Sequence, residues 1–150
     1  MRSAIEISKY VIQYCKKKNY GISNLKLQKI LYFIQADFLV TLGRPCFPEK
    51  IYAWDFGPVV PEVYREYKRF GASEIPGMVF TSDLDFDKKE IKIINDMIDD
   101  CAVYSASTLV DITHSQDPWK NAYYKKGKNT EITTKSMKKF FMEGENVNEI

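Results

Sequence analysis

The chain has 150 residues, 45% of them hydrophobic and 14% aromatic, which suits one globular domain burying roughly 70% of the surface its unfolded form exposes. Twenty-two basic residues against twenty acidic ones leave a nearly balanced net charge of +2, weak support for a nucleic-acid binder. Cys15, Cys46 and Cys101 are odd in number, widely spaced and free of any Cys-x-x-Cys pair; this excludes a disulfide framework and a cysteine zinc site and predicts reduced, buried thiols.

Apolar residues at Ala4, Ile7, Val11, Tyr14 and Cys15 recur at three and four, so a helix is expected over 4–17 with Ser3 as its N-cap. Glu6 and Lys9 interrupt any apolar signal segment, and no apolar run reaches about 18 residues, so a soluble, cytoplasmic protein without a membrane span is expected. Asn19-Tyr20-Gly21 is a turn signal. A second helix follows from Ser23 or Asn24, with Leu27, Ile30, Leu31, Ile34, Phe38 and Leu42 on one face and Phe33 and Leu39 on another, which makes it a central helix. This helix-turn-helix outline has too little polar surface on its second helix to read base edges.

Gly43-Arg44-Pro45 ends the second helix, and Lys50 to Phe56 is expected as a strand, with Tyr52, Trp54 and Phe56 as its apolar face and Ile51, Ala53 and Asp55 opposite. Gly57 then permits a tight turn, Pro61 keeps Val60 extended, and a helix runs from Glu62 to Phe70 with Val60, Val63, Tyr64 and Tyr67 inward and Gly71 as C-cap. Residues 72–87 read as loop, with a short extended piece at Met78-Val79-Phe80. Two helices follow. One covers 88–103 with Ile91, Ile94, Ile98 and Cys101 inward; the other covers 107–114, capped by Ser105 or Ser107. Asp117 before Pro118 is an N-cap signal for a short helix to Tyr124. Lys125 to Asn129 forms a basic loop, Glu131 to Thr133 pairs with the strand near Ile51, and Thr134 caps a last helix to Phe141. The sum is a mainly α fold, one domain over 1–150, with six or seven helices and a sheet of two or three strands.

Several patterns invite catalytic readings. Asp55-Phe56-Gly57 spells the magnesium-holding tripeptide of protein kinases, but the chain has no Gly-rich phosphate loop and no His-Arg-Asp. Asp83, Asp85 and Asp87 alternate like the start of a calcium loop, yet Lys88 stands where glycine is needed and Ile94 where glutamate is needed. His114, the only histidine, lies near Asp111 and Asp117, so a small enzyme using His114 is one alternative; a helix C-terminal position bonding a free carbonyl is the plainer one. The lysine groups Lys16-Lys17-Lys18, Lys125-Lys126-Lys128 and Lys138-Lys139 permit a nucleic-acid-binding regulator, although the first and last sit where helix ends are expected.

Four segments carry a family resemblance: "SNLKLQKILYFIQA" (Ser23 to Ala36), "GRPCFPEKIYAWDFGPVVPEVYREYKRFG" (Gly43 to Gly71), "LVDITHSQDPWKNAY" (Leu109 to Tyr123) and "ITTKSMKKFF" (Ile132 to Phe141). Together, and in this order, they resemble the Panacea domain, a family that includes SocA-like antitoxins and many phage-associated proteins. The family's Leu-x-Lys-Leu-Leu-Tyr helix falls on Leu27, Lys29, Ile30, Leu31 and Tyr32, with Ile30 replacing a leucine; its Ala-Trp-x-x-Gly-Pro-Val falls on Ala53, Trp54, Gly57, Pro58 and Val59; its Thr-His and Pro-Trp fall on Thr113, His114, Pro118 and Trp119. The resemblance implies a non-catalytic, cofactor-free protein that neutralises a cognate toxin by direct binding. Some members act as proteolytic adapters, which implies a Clp-type ATP-dependent protease as a second partner, and a homo-oligomer is left open. Candidate partner-binding residues are Trp54, Asp55, Phe56, Pro58, His114, Trp119 and Lys120, since aromatic side chains make good interface anchors. The alternative is a binding surface in the loops 72–87 or 125–129, with the family residues serving as scaffold.

Overall fold

A computed structural model describes residues 1–77 and 85–148, with side chains through residue 143. The expected extended piece at Met78-Val79-Phe80 and the first acid of the calcium-like run, Asp83, lie outside the described residues. Among those described there are seven α-helices and a three-stranded antiparallel sheet.

Helix α2 (Asn24–Thr41) organises the chain. Residues 27 to 32 are buried without interruption, so the middle of the helix has no solvent face, and the helix packs against α1 (Ala4–Lys17), α3 (Pro61–Tyr67), α4 (Lys88–Ala102), α5 (Ala106–His114) and α7 (Thr134–Asn148). Leu27, Ile30, Leu31, Ile34 and Phe38 are at most 1% exposed, and each full burial of such a side chain is worth about 1.5–3 kcal/mol. A narrow, partly exposed stripe at Lys26, Phe33, Asp37 and Val40 is left, too little to lie in a DNA groove and read base edges. α1 and α4 form as amphipathic helices with capping boxes at Ser3/Glu6 and Asp87/Glu90, and Ser23 and Ser105 cap α2 and α5.

The polar residues of α2 have a shared task. Buried Gln35 accepts from the backbone N–H groups of Cys46 (2.7 Å) and Phe47 (3.2 Å) and donates to Phe47 O (2.9 Å). Gln28 accepts from Val60 N (2.9 Å) and donates to Asn24 (3.0 Å), which donates to Tyr64 O (3.0 Å). Lys29, fully buried, donates to Pro58 O at 3.1 Å, and Tyr32 donates to Gln116 (2.9 Å). Gln28, Lys29 and Gln35 thereby satisfy buried backbone groups of segments outside the helix that would otherwise be orphaned.

The sheet departs from the expected strand-to-helix corner. β1 (Ile51–Trp54) turns at Asp55-Phe56 and returns as β2 (Gly57–Val59), with Tyr52 opposite Val59 and Trp54 opposite Gly57; β3 (Thr130–Ile132) pairs on the other side of β1, Ile51 opposite Ile132. Pro58 is accommodated because β2 is an edge strand. The core face of β1 is Ile51 and Ala53, 3% and 0% exposed, so the aromatic Tyr52-Trp54-Phe56 side is the outer one: sheet register, set by α2 beneath, overrides side-chain size.

Smaller corrections concern ends. α3 stops at Tyr67, passes through a 3-10 turn (Lys68–Phe70) and closes at Gly71 with φ 57°. Tyr64 and Ile91 are only half-buried. α6 (Asp117–Lys120) is capped at Gln116, leaving Asp117 as its first residue and first-turn acid, and it widens into a π-helix (Asn121–Lys126) that absorbs part of the basic loop. Thr133, not Thr134, caps α7 by accepting from Ser136 N (3.1 Å). α7 continues to Asn148, because a single interior glycine costs only about 1 kcal/mol; Lys138-Lys139 therefore lie mid-helix.

Candidate functional site

The β1–β2 hairpin is held from three sides. Gly57 adopts φ 106°, and a Cβ there would stand 2.7 Å from Lys29 Cε and 2.8 Å from Thr113 Oγ1, so glycine is required both for the turn and for the close approach to α2 and α5. At the turn, His114 Nε2 meets Asp55 O at 3.0 Å. A carbonyl only accepts, so Nε2 carries the proton. The His114 ring stacks on Trp119 (centroids 4.0 Å), which stacks on Tyr123 (4.5 Å). Trp119 Nε1 donates to Trp54 O (2.9 Å), and the Tyr123 hydroxyl donates to Asp55 Oδ1 (2.6 Å). The Asp55 carboxylate raises the Tyr123 phenol above its ordinary value. On the far side, Asn129, at φ 62°, donates from its backbone to Ala53 O (2.6 Å) and accepts from Trp54 Nε1 (3.0 Å).

The sequence-derived candidates divide by exposure. Pro58 and Trp119 (2% exposed) are enclosed in the chain itself; His114 and Trp54 are half-buried; Asp55, Phe56 and Lys120 are exposed, Phe56 to 66%. The pair expected to anchor a partner is thus unequal: Trp119 is the pillar on which the hairpin rests, while Trp54 turns its ring outward and meets Tyr64 edge-to-face at 5.1 Å. His114 does occupy a helix C-terminus and bond a carbonyl, that of the hairpin turn. No hydrogen bond joins it to Asp111 or Asp117. Burial pushes the Cys15 thiol up to about 11 and those of Cys46 and Cys101 up to about 12, the reverse of what a nucleophile needs. Among the described residues no group of His, Cys, Asp or Glu could hold a metal ion, and no helix is long and apolar enough to cross a membrane.

Beside the hairpin opens a groove of about 600 Å³. Trp54, Phe56, Val59 and Tyr64 make its apolar wall, Asn24 and Gln28 its floor, and Lys68, Ala72, Lys128 and Asn129 its rim. The Trp54 region and the edges of both variable loops, weighed as alternatives from sequence, meet in this one depression. Sequence reasoning missed Asn24, Gln28, Tyr64 and Lys68 as members of the site. The usable signal was polar side chains in an otherwise greasy central helix, which must find buried partners.

The geometry gives the hairpin and its supports in α2, α5 and α6 their roles, and comparison with known proteins covers the same stretch of chain. The family described as "Antitoxin SocA-like, Panacea domain" matches residues 27–120. The chain belongs to this SocA-like Panacea-domain family. Antitoxin SocA of Caulobacter vibrioides (strain NA1000 / CB15N) is 46% identical over 63 residues, which cover 42% of the chain and 34% of that relative; the chain thus spans about a third of the curated relative's length. No solved structure matches the chain. The matched span of this SocA-like chain contains the hairpin and its clamp from Lys29 to Trp119, while Lys128 and Asn129 of the groove rim fall beyond it.

Proposed function

We propose that this chain is the antitoxin of a toxin–antitoxin pair and neutralises its toxin by direct protein–protein binding. The observation that supports it most is the use of the family signature. Gly57, Pro58, Thr113, His114 and Trp119 are turned inward or sideways to fix one hairpin, and what they hold toward solvent is an aromatic surface at Trp54 and Phe56 beside a groove. Exposed aromatic side chains on a rigid support are the usual anchors of a protein interface, since little conformational entropy is lost on docking. On this reading Trp54, Asp55, Phe56 and Lys120 contact the partner, and Pro58, His114 and Trp119 position them.

Growth tests the proposal. The reading frame adjacent to this gene, expressed alone, should arrest growth, and co-expression of this chain should restore it. A Phe56→Ser, Trp54→Ser double variant should fail to restore growth while remaining folded. A harmless neighbour, or arrest that persists with the intact chain, contradicts the reading. Repeating the rescue in cells lacking the Clp-type protease separates simple sequestration, which survives, from adapter-mediated degradation, which does not.

A further inference from the structure

We infer that the groove beside the β1–β2 hairpin receives a short acidic segment of the partner that carries an aromatic or large aliphatic side chain; the identity of that partner as the toxin rests on the proposed function above. Three properties of the groove select this chemistry.

The wall is apolar and of suitable size. Trp54 and Tyr64 meet edge-to-face, Val59 closes the inner end and Phe56 stands at the lip. A volume of about 600 Å³ lies within the range of preformed ligand pockets and accommodates one or two large side chains of a peptide.

The floor asks for nothing polar. Both polar atoms of the Asn24 amide are engaged, Nδ2 with Tyr64 O and Oδ1 with Gln28 Nε2, and Gln28 Oε1 accepts from Val60 N. A polar ligand would find these groups already spent on the fold, whereas an apolar side chain leaves no group unpaired.

The rim is cationic. Lys68 and Lys128 are exposed and, among the described residues, the ammonium group of neither forms an ion pair or hydrogen bond. Asp55, the single acid of the lining, has Oδ1 bonded to the Tyr123 hydroxyl. Two unpaired ammonium groups flanking an apolar slot complement carboxylates on either side of an apolar residue. The clamp on the hairpin keeps the slot formed in the free protein, so docking requires little rearrangement.

The test is selection of a phage-displayed library of random twelve-residue peptides on the intact chain, followed by fluorescence anisotropy with the best peptide synthesised. Selected peptides should carry an aromatic or large aliphatic residue with acids within two or three positions of it. Charge reversal in a Lys68→Glu, Lys128→Glu double variant, at two exposed positions that leave the melting temperature unchanged, should weaken binding at least about tenfold, whereas Lys92→Glu on α4 changes it less than about twofold. Neutral or basic selected peptides, no enrichment, or equal binding by the double variant overturns the inference. So does tight binding of single-stranded oligothymidylate that the double variant loses, which would make the groove a nucleic-acid site, or a concentration-dependent dimer that a Trp54→Ser variant dissociates. Failure here is distinguishable from failure of the antitoxin reading: growth rescue that persists in the double variant removes the groove and keeps the antitoxin, and acidic-peptide binding beside a harmless neighbouring frame does the opposite.

Discussion

Replacing Lys29 by methionine should flatten the pH dependence of stability between pH 7 and 8.5. Lys29 is fully buried, its Nζ has Pro58 O at 3.1 Å as acceptor, and burial pulls its ionisation down to about 7 from an ordinary 10.5. Between those values the unfolded chain holds a proton that the folded chain does not, so stability increases as pH rises, with a limiting slope of about 1.4 kcal/mol per unit. From pH 7 to 8.5 the gain is about 1.5 kcal/mol. The buried thiols of Cys15, Cys46 and Cys101 act the other way: their folded ionisation is raised from an ordinary 9.0, so stability is lost as the unfolded thiols ionise near that pH, about 0.5 kcal/mol in total by pH 8.5. A net rise of about 1 kcal/mol remains. Urea unfolding followed by circular dichroism at half-unit steps would read it as a higher midpoint at constant m-value. The methionine variant, close in volume and without a titrating group, should lose the rise and retain only the small thiol decline. Parallel profiles for the two proteins would refute the assignment of a largely neutral amine under the hairpin.

Other perturbations follow from the same contacts. Gly57→Ala combines φ 106° with a Cβ 2.7 Å from Lys29 Cε and 2.8 Å from Thr113 Oγ1, so a loss of about 2–4 kcal/mol is expected in chemical denaturation; a loss under about 0.5 kcal/mol would contradict the packing of the hairpin on α2 and α5. Gln35→Leu leaves the Cys46 and Phe47 N–H groups and Phe47 O without their buried partner and should cost about 2–4 kcal/mol, visible as faster amide exchange at Cys46 and Phe47. The three cysteines are at most 5% exposed, so a thiol reagent such as Ellman's should modify them at the rate of unfolding and not before; rapid modification of any one would place it outside the core. Tyr123→Phe removes an exposed hydrogen bond to Asp55 and should change stability by less than about 1 kcal/mol while loosening the turn, read as line broadening of the Asp55 and Phe56 amides.

The helices were legible because their signals are local. Ser3 caps where the sequence places it, Ser105 is one of the two caps expected for α5, and α1 and α2 begin and end within a residue of expectation. The hairpin was not, because strand pairing is decided by what lies beneath it. Alternation in 50–56 reveals two faces without saying which is buried, and Gly57-Pro58 looks like a strand terminator until the edge position of β2 is known. The sequence named Trp54, Asp55, Phe56, Pro58, His114 and Trp119 as one set of candidates; their separation into enclosed Pro58 and Trp119 and exposed Asp55 and Phe56 appears only in the packing, because an aromatic residue of a motif reads alike whether it is buried or exposed. Lys29 illustrates the converse. Its place in the signature was plain, yet only the packing shows that a lysine in the core bonds a strand carbonyl. Lys68 and Lys128 come from segments far apart in the chain and carried no pattern joining them.

The antitoxin reading is tested most directly by isothermal titration of this purified chain with the purified product of the adjacent reading frame, the proposed toxin. It predicts a saturable complex with a dissociation constant below about 1 µM, equivalent to about −8 kcal/mol, weakened at least about tenfold by Phe56→Ser with Trp54→Ser. Absence of binding, or a complex of undiminished affinity in that variant, would contradict it.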